Sequence, residues 1–218
     1  ILSYSDLHHQ DVMDLAERVL AIGADFGFLG GRHTMLKSKK KVIAVCAVRT
    51  GAGKSQVVRY IADVIRKAGF KAVVVRHPMP YGNLVDEAVQ RFSSRADLDG
   101  ANLTIEEREE YERHISKGTV VYAGVDYQAI LDRAEEEADV IVWDGGNNDT
   151  PFYKPDLWIT VADALRPGHE ILYYPGETNF RAADLIVINK ANSAAEEDII
   201  AIEANAARLN PKASVVVA

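Results

Sequence analysis

Apolar residues fall along the chain in two alternating rhythms. Short, nearly unbroken runs rich in Val and Ile occupy 42–48, 71–75, 119–123, 140–144, 157–162, 185–189 and 214–217. Between them, helical spacing fits 54–68, 83–92, 104–116, 126–137 and 194–208. A strand without polar alternation is buried on both faces, the condition of a parallel strand covered by helices on either side. The pattern predicts an α/β fold built on a doubly wound, mostly parallel sheet, with any ligand beyond the carboxyl ends of its strands.

A separate unit precedes this pattern. Val12, Leu15, Ala16, Val19 and Leu20 mark a helix over 9–22, Gly23 stops it, and 26–29 reads as a short strand. Gly30-Gly31 and the basic run 37–41 follow as a junction. The expected division is 1–37, the end of an earlier domain, and 38–218, the sheet domain. Two helix starts carry the capping-box signature, Thr104 with Glu107 and Ser193 with Glu196, which assigns those four residues to structure.

Composition narrows the function. With 218 residues, 48% of them hydrophobic and 26% charged, the chain reads as a folded soluble protein. No apolar run approaches the roughly 20 residues of a membrane span and no signal-peptide pattern opens the sequence, so a cytoplasmic location without membrane partners is expected. A net charge of −7 argues against charge-driven nucleic-acid binding. A small anionic ligand remains compatible, because one helix N-terminus supplies enough donors. The single Cys46, inside an apolar run, reads as a buried small hydrophobe.

The chemistry starts after the strand 42–48. Arg49-Thr50-Gly51-Ala52-Gly53 follows it, and Lys54-Ser55-Gln56 opens a helix. Strand, glycine loop and helix in this order make a phosphate-binding loop, in which backbone N–H groups wrap a β-phosphate and the helix dipole adds attraction. Lys54 would neutralise the β and γ oxygens and the Ser55 hydroxyl would ligate Mg²⁺. In the pattern GxxxxGK[ST] the first glycine falls at Val48. Arg49 stands where septum-site ATPases and the nitrogenase iron protein carry a signature lysine; it is either catalytic or a solvated loop arginine.

Two further strand ends add candidates. Asp144 closes the strand 140–144 and is the expected magnesium-organising carboxylate; alone, it would read as a turn former. Beyond it, Gly145 or Gly146 suits sensing of a γ-phosphate, and Asn147, Asn148 or Asp149 orientation of a substrate. The run Asn189-Lys190-Ala191-Asn192 is an NKxD-like tetrad with Asn192 in place of the aspartate. Asn189 and Lys190 are candidates to hold the base. Asn192 is not an acceptor-only partner for guanine, which favours ATP while leaving GTP open.

Over nearly its full length the chain resembles the cyclic 2,3-diphosphoglycerate synthetase family. The resemblance rests on AVRTGAGKSQ at 47–56, Val75 to Gly82, TIEEREEYE at 104–112, VYAGVDY at 121–127, DGGNND at 144–149, RPGHE at 166–170 and YYPGETN at 173–179. It implies a P-loop fold joined to an N-terminal Rossmann-like region, and ATP-dependent closure of 2,3-diphosphoglycerate into a cyclic phosphoanhydride. Such an anionic substrate needs convergent cations, for which Arg76, His77, Arg166, His169 and Arg181 are candidates. The alternative is a regulatory or accessory GTPase or ATPase switch. Association with further copies of the chain is left open.

Overall fold

A computed structural model of the chain describes residues 7–77, 83–145 and 149–218, apart from the side chain of Arg32. In chain order the elements are β1 (Leu7–His8), α1 (His9–Ala21), α2 (Gly31–Thr34), β2 (Lys41–Ala47), α3 (Lys54–Lys67), β3 (Ala72–Arg76), β4 (Gln90–Phe92), α4 (Arg95–Asp99) and α5 (Ile105–Ile115). They continue with β5 (Val120–Ala123), α6 (Tyr127–Glu137), β6 (Val140–Asp144), β7 (Leu157–Asp163), β8 (Tyr173–Tyr174), α7 (Gly176–Ala182), β9 (Leu185–Asn189), α8 (Glu196–Leu209) and β10 (Ser214–Val217).

Eight strands form one sheet in the order β10-β9-β7-β2-β6-β3-β5-β4, parallel throughout except for β4 at one edge. Alternate residues of each inner strand feed opposite faces. Val45 and Ala47 of β2, Val74 of β3 and Val142 of β6 pack with Val58, Ala62 and Ile65 of α3. Val42, Ala44, Val73, Val75, Ile141 and Trp143 turn the other way, onto Ile130, Leu131 and Ala134 of α6. Each such side chain fully withdrawn from water stabilises by roughly 1.5–3 kcal/mol. That double burial is why these strands read as unbroken apolar runs. Phe180, Ile202 and Ala206 of α7 and α8 cover Ala162, Ile186 and Ile188, and Leu98 and Tyr111 of α4 and α5 cover Phe92, Val121 and Ala123.

The chain passes from β2 outward to β3, returns to place β6 between them, and then crosses to β7 on the other side of β2. That reversal at β2 is the switch point where such sheets hold ligands.

Several expected elements differ. The segment 83–92 is not a helix. Asn83 takes the Val85 N–H on its side-chain oxygen at 3.1 Å and the Glu87 N–H on its carbonyl at 3.0 Å, and the turn delivers β4 antiparallel onto β5. Residues 26–29 form no strand, although Phe28 stacks 5.0 Å from Tyr174. The capping box at Thr104 and Glu107 is present, and a further one joins Ser94 to Asp97 at α4. The one at Ser193 is not, because a 3₁₀ turn over 191–193 delays α8 and leaves Ala195 as its N-cap. The N-terminal segment docks on the sheet domain through the β1–β8 ribbon and through Leu36, whose N–H reaches Phe152 O at 2.7 Å. Among the described residues no helix is long and apolar enough to cross a membrane.

Candidate nucleotide site

Five neighbouring strands end in residues that carry chemistry. In sheet order β9 stops at Asn189, β7 at Asp163, β2 at Ala47 just before the glycine loop, β6 at Asp144 and β3 at Arg76. The registers Arg76↔Asp144 and Asp163↔Asn189 bring these ends level.

The loop itself turns on Gly51 and Gly53, with φ of +85° and +98°, a region strained for any side chain. A Cβ at position 53 would lie 2.0 Å from Asn189 Nδ2. Three consecutive carbonyls are pinned from outside. Arg166 donates to Thr50 O at 3.1 Å, Lys190 to Gly51 O at 2.7 Å and Asn189 to Ala52 O at 2.9 Å. Oxygens held outward leave the inner side to N–H groups, and the first turn of α3 adds those of Lys54 and Ser55, which have no intrahelical partner by position. Gln56 is exposed, and its own N–H closes on Gly53 O at 3.1 Å. Val48 occupies the place of the pattern's first glycine, and the close approach there is made by Gly176, where a Cβ would sit 2.1 Å from Val48 O.

Asn189 and Lys190, expected beside the base, thus brace the loop from outside. Lys190 adopts φ +64°, a conformation costing a non-glycine residue of order 1–3 kcal/mol, and is held there by Gly51 O and by Asp163 Oδ2 at 2.7 Å.

Inside the loop lies a buried charge cluster. Asp144 is fully buried; one oxygen pairs with Lys54 Nζ and the other accepts from Arg76 at 2.6 Å. Burial alone would raise its pKa, but the charges of Arg76 and Lys54 outweigh it and keep the carboxyl below the usual range. Arg76 also pairs with Glu110 of α5, and Glu110 accepts from the Ser55 hydroxyl at 3.3 Å. His114, one turn further along α5, is buried and its pKa is pushed down to about 4 by desolvation, with Arg76, Arg59 and Lys54 acting in the same direction and Asp144 against. The Ser55 hydroxyl with Glu110 against it, and Asp144 joined to Glu110 through Arg76, are the oxygen donors Mg²⁺ takes, so these residues fit the ion expected with a nucleotide.

Of the other predicted residues, Arg49 and His169 meet. The Arg49 guanidinium lies 4.1 Å from the Tyr173 ring centroid, donates to Tyr173 OH at 2.8 Å and stands 3.1 Å from His169 Nδ1. Arg166 stays at the loop, 3.5 Å from Asp163. His77 donates its backbone N–H to Asp144 O at 3.4 Å while its ring faces Phe152. Arg181 is not brought in; it pairs with Glu177 on the exposed side of α7. Gly145 has no room for a side chain, a Cβ there lying 2.8 Å from Asp149 Oδ1. Gly146, Asn147 and Asn148 lie outside the described residues. Cys46 is buried, which raises its thiol pKa.

Sequence reasoning missed Glu110, His114, Tyr173 and Asp163. Glu110 was readable only as its spacing of three and four from the buried Glu107 and His114, which puts it on the inward side of an otherwise acidic helix.

No protein-family model matches the chain. Over 216 residues, 99% of its length, it is 57% identical to the arginine synthetase ArcE of Thermococcus kodakarensis. Over 98 residues, 43% of its length, it is 30% identical to the cyclic 2,3-diphosphoglycerate synthetase of Pyrococcus furiosus. The chain spans 48% of the first relative and 23% of the second. Among solved structures, LpxK from Aquifex aeolicus in complex with ATP superposes with a TM-score of 0.55 at 17% identity, over 84% of this chain and 56% of that one. The hydrogenase maturation factor HypB from Archaeoglobus fulgidus gives 0.53 at 19%, over 82% and 81%. The fold is that of the P-loop NTPases. Within this fold β2, which leads into the glycine loop, pairs directly with β6, which ends in Asp144, so loop and carboxylate stand side by side. The more extensive similarity is to the synthetase named for arginine, so the resemblance read from the sequence extends to proteins named as synthetases rather than to one product.

Proposed function

We propose that the chain is the phosphoryl-transferring part of an ATP-dependent synthetase, with residues 1–37 the end of a preceding Rossmann-like region. The carrying observation is the outward-pinned glycine loop beside Lys54, Ser55 and the buried Asp144. In this reading Thr50 to Gln56 enclose the phosphates, Lys54 shifts from Asp144 to the β and γ oxygens, and Arg49 approaches the transferring group from its seat on Tyr173. Mg²⁺, when bound, neutralises charge on the phosphate oxygens. Arg76 and His77, with Arg166 and His169 across the loop, border the side where an acceptor enters.

The similarity to the arginine synthetase supports an acceptor that becomes arginine. A guanidinium carbon arises from its ureido counterpart when the oxygen is replaced by nitrogen, and oxygen departs readily only once phosphorylated. The γ-phosphoryl passes to that oxygen, ADP is released, ammonia adds its lone pair to carbon and gives up one proton, and phosphate leaves with the C–O electron pair and takes up that proton. Loop and lysine act on positioning and charge, which is what phosphoryl transfer needs.

Incubated with Mg-ATP, ammonium and citrulline, the protein should release ADP and arginine in equal amounts. A new anhydride resonance in the ³¹P spectrum with 2,3-diphosphoglycerate, and no arginine, would replace this acceptor by the other. Slow hydrolysis indifferent to both would leave a nucleotide switch. Lys54→Ala should lose roughly 10- to 100-fold in nucleotide affinity, the worth of a charged hydrogen bond, in a calorimetric titration. Full affinity in that variant would remove the loop from the mechanism, and tighter binding of GTP than of ATP would change the nucleotide.

A further inference from the structure

We propose that Glu110 is the second carboxylate of the magnesium site, acting on the ion together with Ser55 and opposite Asp144. The proposal rests on the nucleotide reading above and adds to it a residue from a helix that no phosphate-loop pattern includes. On α5 the exposed residues Glu106, Glu109 and Arg113 point to water, whereas Glu110 shares the side of Glu107, Tyr111 and His114. A glutamate has every energetic reason to join the exposed set. It instead reaches the hydroxyl that the loop offers to Mg²⁺ and the arginine that also grips Asp144.

The charges explain the placement. Without nucleotide, Lys54 and Arg76 balance Asp144 and Glu110. Once phosphates draw Lys54 away, the two carboxylates share Arg76 alone, an arrangement that a divalent cation compensates. The Glu110 side chain keeps 33% of its surface in water, against none for Asp144, so it suits an ion that retains several waters. A carboxylate needed only as the partner of Arg76 has no cause to engage Ser55.

The test is the Mg²⁺ dependence of nucleotide binding, read by calorimetry over a series of free Mg²⁺ concentrations. Glu110→Gln keeps the shape and removes the charge. The Mg²⁺ concentration for half-maximal tightening should rise about tenfold, the scale of a lost metal-supporting partner. Affinity in EDTA should not fall, since the variant removes a negative charge near the phosphates, and an unchanged circular dichroism spectrum shows the variant folded. Adding Ser55→Ala to Glu110→Gln should shift the requirement by less than the product of the single shifts, since both act on one ion. An unchanged Mg²⁺ requirement in Glu110→Gln would overturn the role of Glu110 and leave the nucleotide site standing. Nucleotide binding by the unaltered chain with no Mg²⁺ dependence would overturn the magnesium site and with it the role of Glu110, whereas no nucleotide binding at all would overturn the reading on which the proposal rests.

Discussion

β3 carries a cation at each end, and the two cations enter clusters of the same composition with opposite consequences. Before its first residue, Lys71 reaches Glu137 at 2.8 Å, and Arg91 grips the same carboxylate at 2.7 and 2.9 Å. At its last residue, Arg76 shares Asp144 with Lys54. Both are a carboxylate held by two cations. At Glu137 the partners keep 40–50% of their side-chain surface in water; at Asp144 the partners are 8% and 12% exposed and the carboxylate is fully buried. Exposed pairs trade water contacts for ion contacts at near parity, while buried ones are held against a large desolvation cost. The amino end of the sheet therefore carries a surface clamp, and the carboxyl end carries charges held out of water.

The sharpest break of this contrast is Asp144→Asn. Removing the buried anion leaves Lys54 and Arg76 with Glu110 as their remaining anion, and breaking a buried pair from one side costs about 3–5 kcal/mol. Urea unfolding without nucleotide should show a loss of that size, together with weaker Mg²⁺-dependent binding. A loss below about 1 kcal/mol, the scale of a surface pair, would mean that the cluster is wet and the contrast false.

His114 extends the contrast to pH. Its pKa is lowered to about 4 from an ordinary 6.5 by burial. The unfolded chain thus binds a proton at a pH where the folded chain does not, so the contribution to stability is complete above 6.5 and declines as pH falls toward 4. The full loss is roughly 3 kcal/mol. The surface carboxylate moves elsewhere: Arg91 holds Glu137 down at about 2, so its contribution persists through this window and fades only as pH falls further. Melting temperatures between pH 6.5 and 4.5 should therefore decline in the unaltered chain and flatten in His114→Gln. Equal slopes would place His114 in water.

Sheet and loop were legible in the sequence because each obeys a local rule. Inner strands such as Ile141 to Trp143 show continuous apolar runs, and Gly51, Gly53, Lys54 and Ser55 stand in fixed order between strand and helix. What stayed hidden depends on contacts between distant segments. Glu110 reaches Ser55 across 55 positions and Arg166 reaches Thr50 across 116, and neither has a sequence signature. Gly176 could not be matched to Val48, because its missing side chain serves a carbonyl on another element. The edge strand β4 was misread because only Phe92 of its three residues is buried, and helical spacing over 83–92 fitted as well.

Arg91→Ala probes the exposed cluster and should have the smallest effect. The guanidinium forms two hydrogen bonds to Glu137, a favourable geometry, but it is 40% exposed and leaves Lys71 and the Tyr122 hydroxyl on the same carboxylate. No buried charge is stranded. The cost should be at most about 1 kcal/mol in chemical denaturation and shrink as salt is raised, since an exposed pair is screened. Nucleotide affinity should be untouched, because the Arg91 guanidinium meets Glu137 beside Lys71, which precedes β3, and contacts none of the loop residues. If Arg91→Ala instead costs as much as Asp144→Asn, two cations around a carboxylate stabilise irrespective of water, and burial at the phosphate end loses its explanatory role.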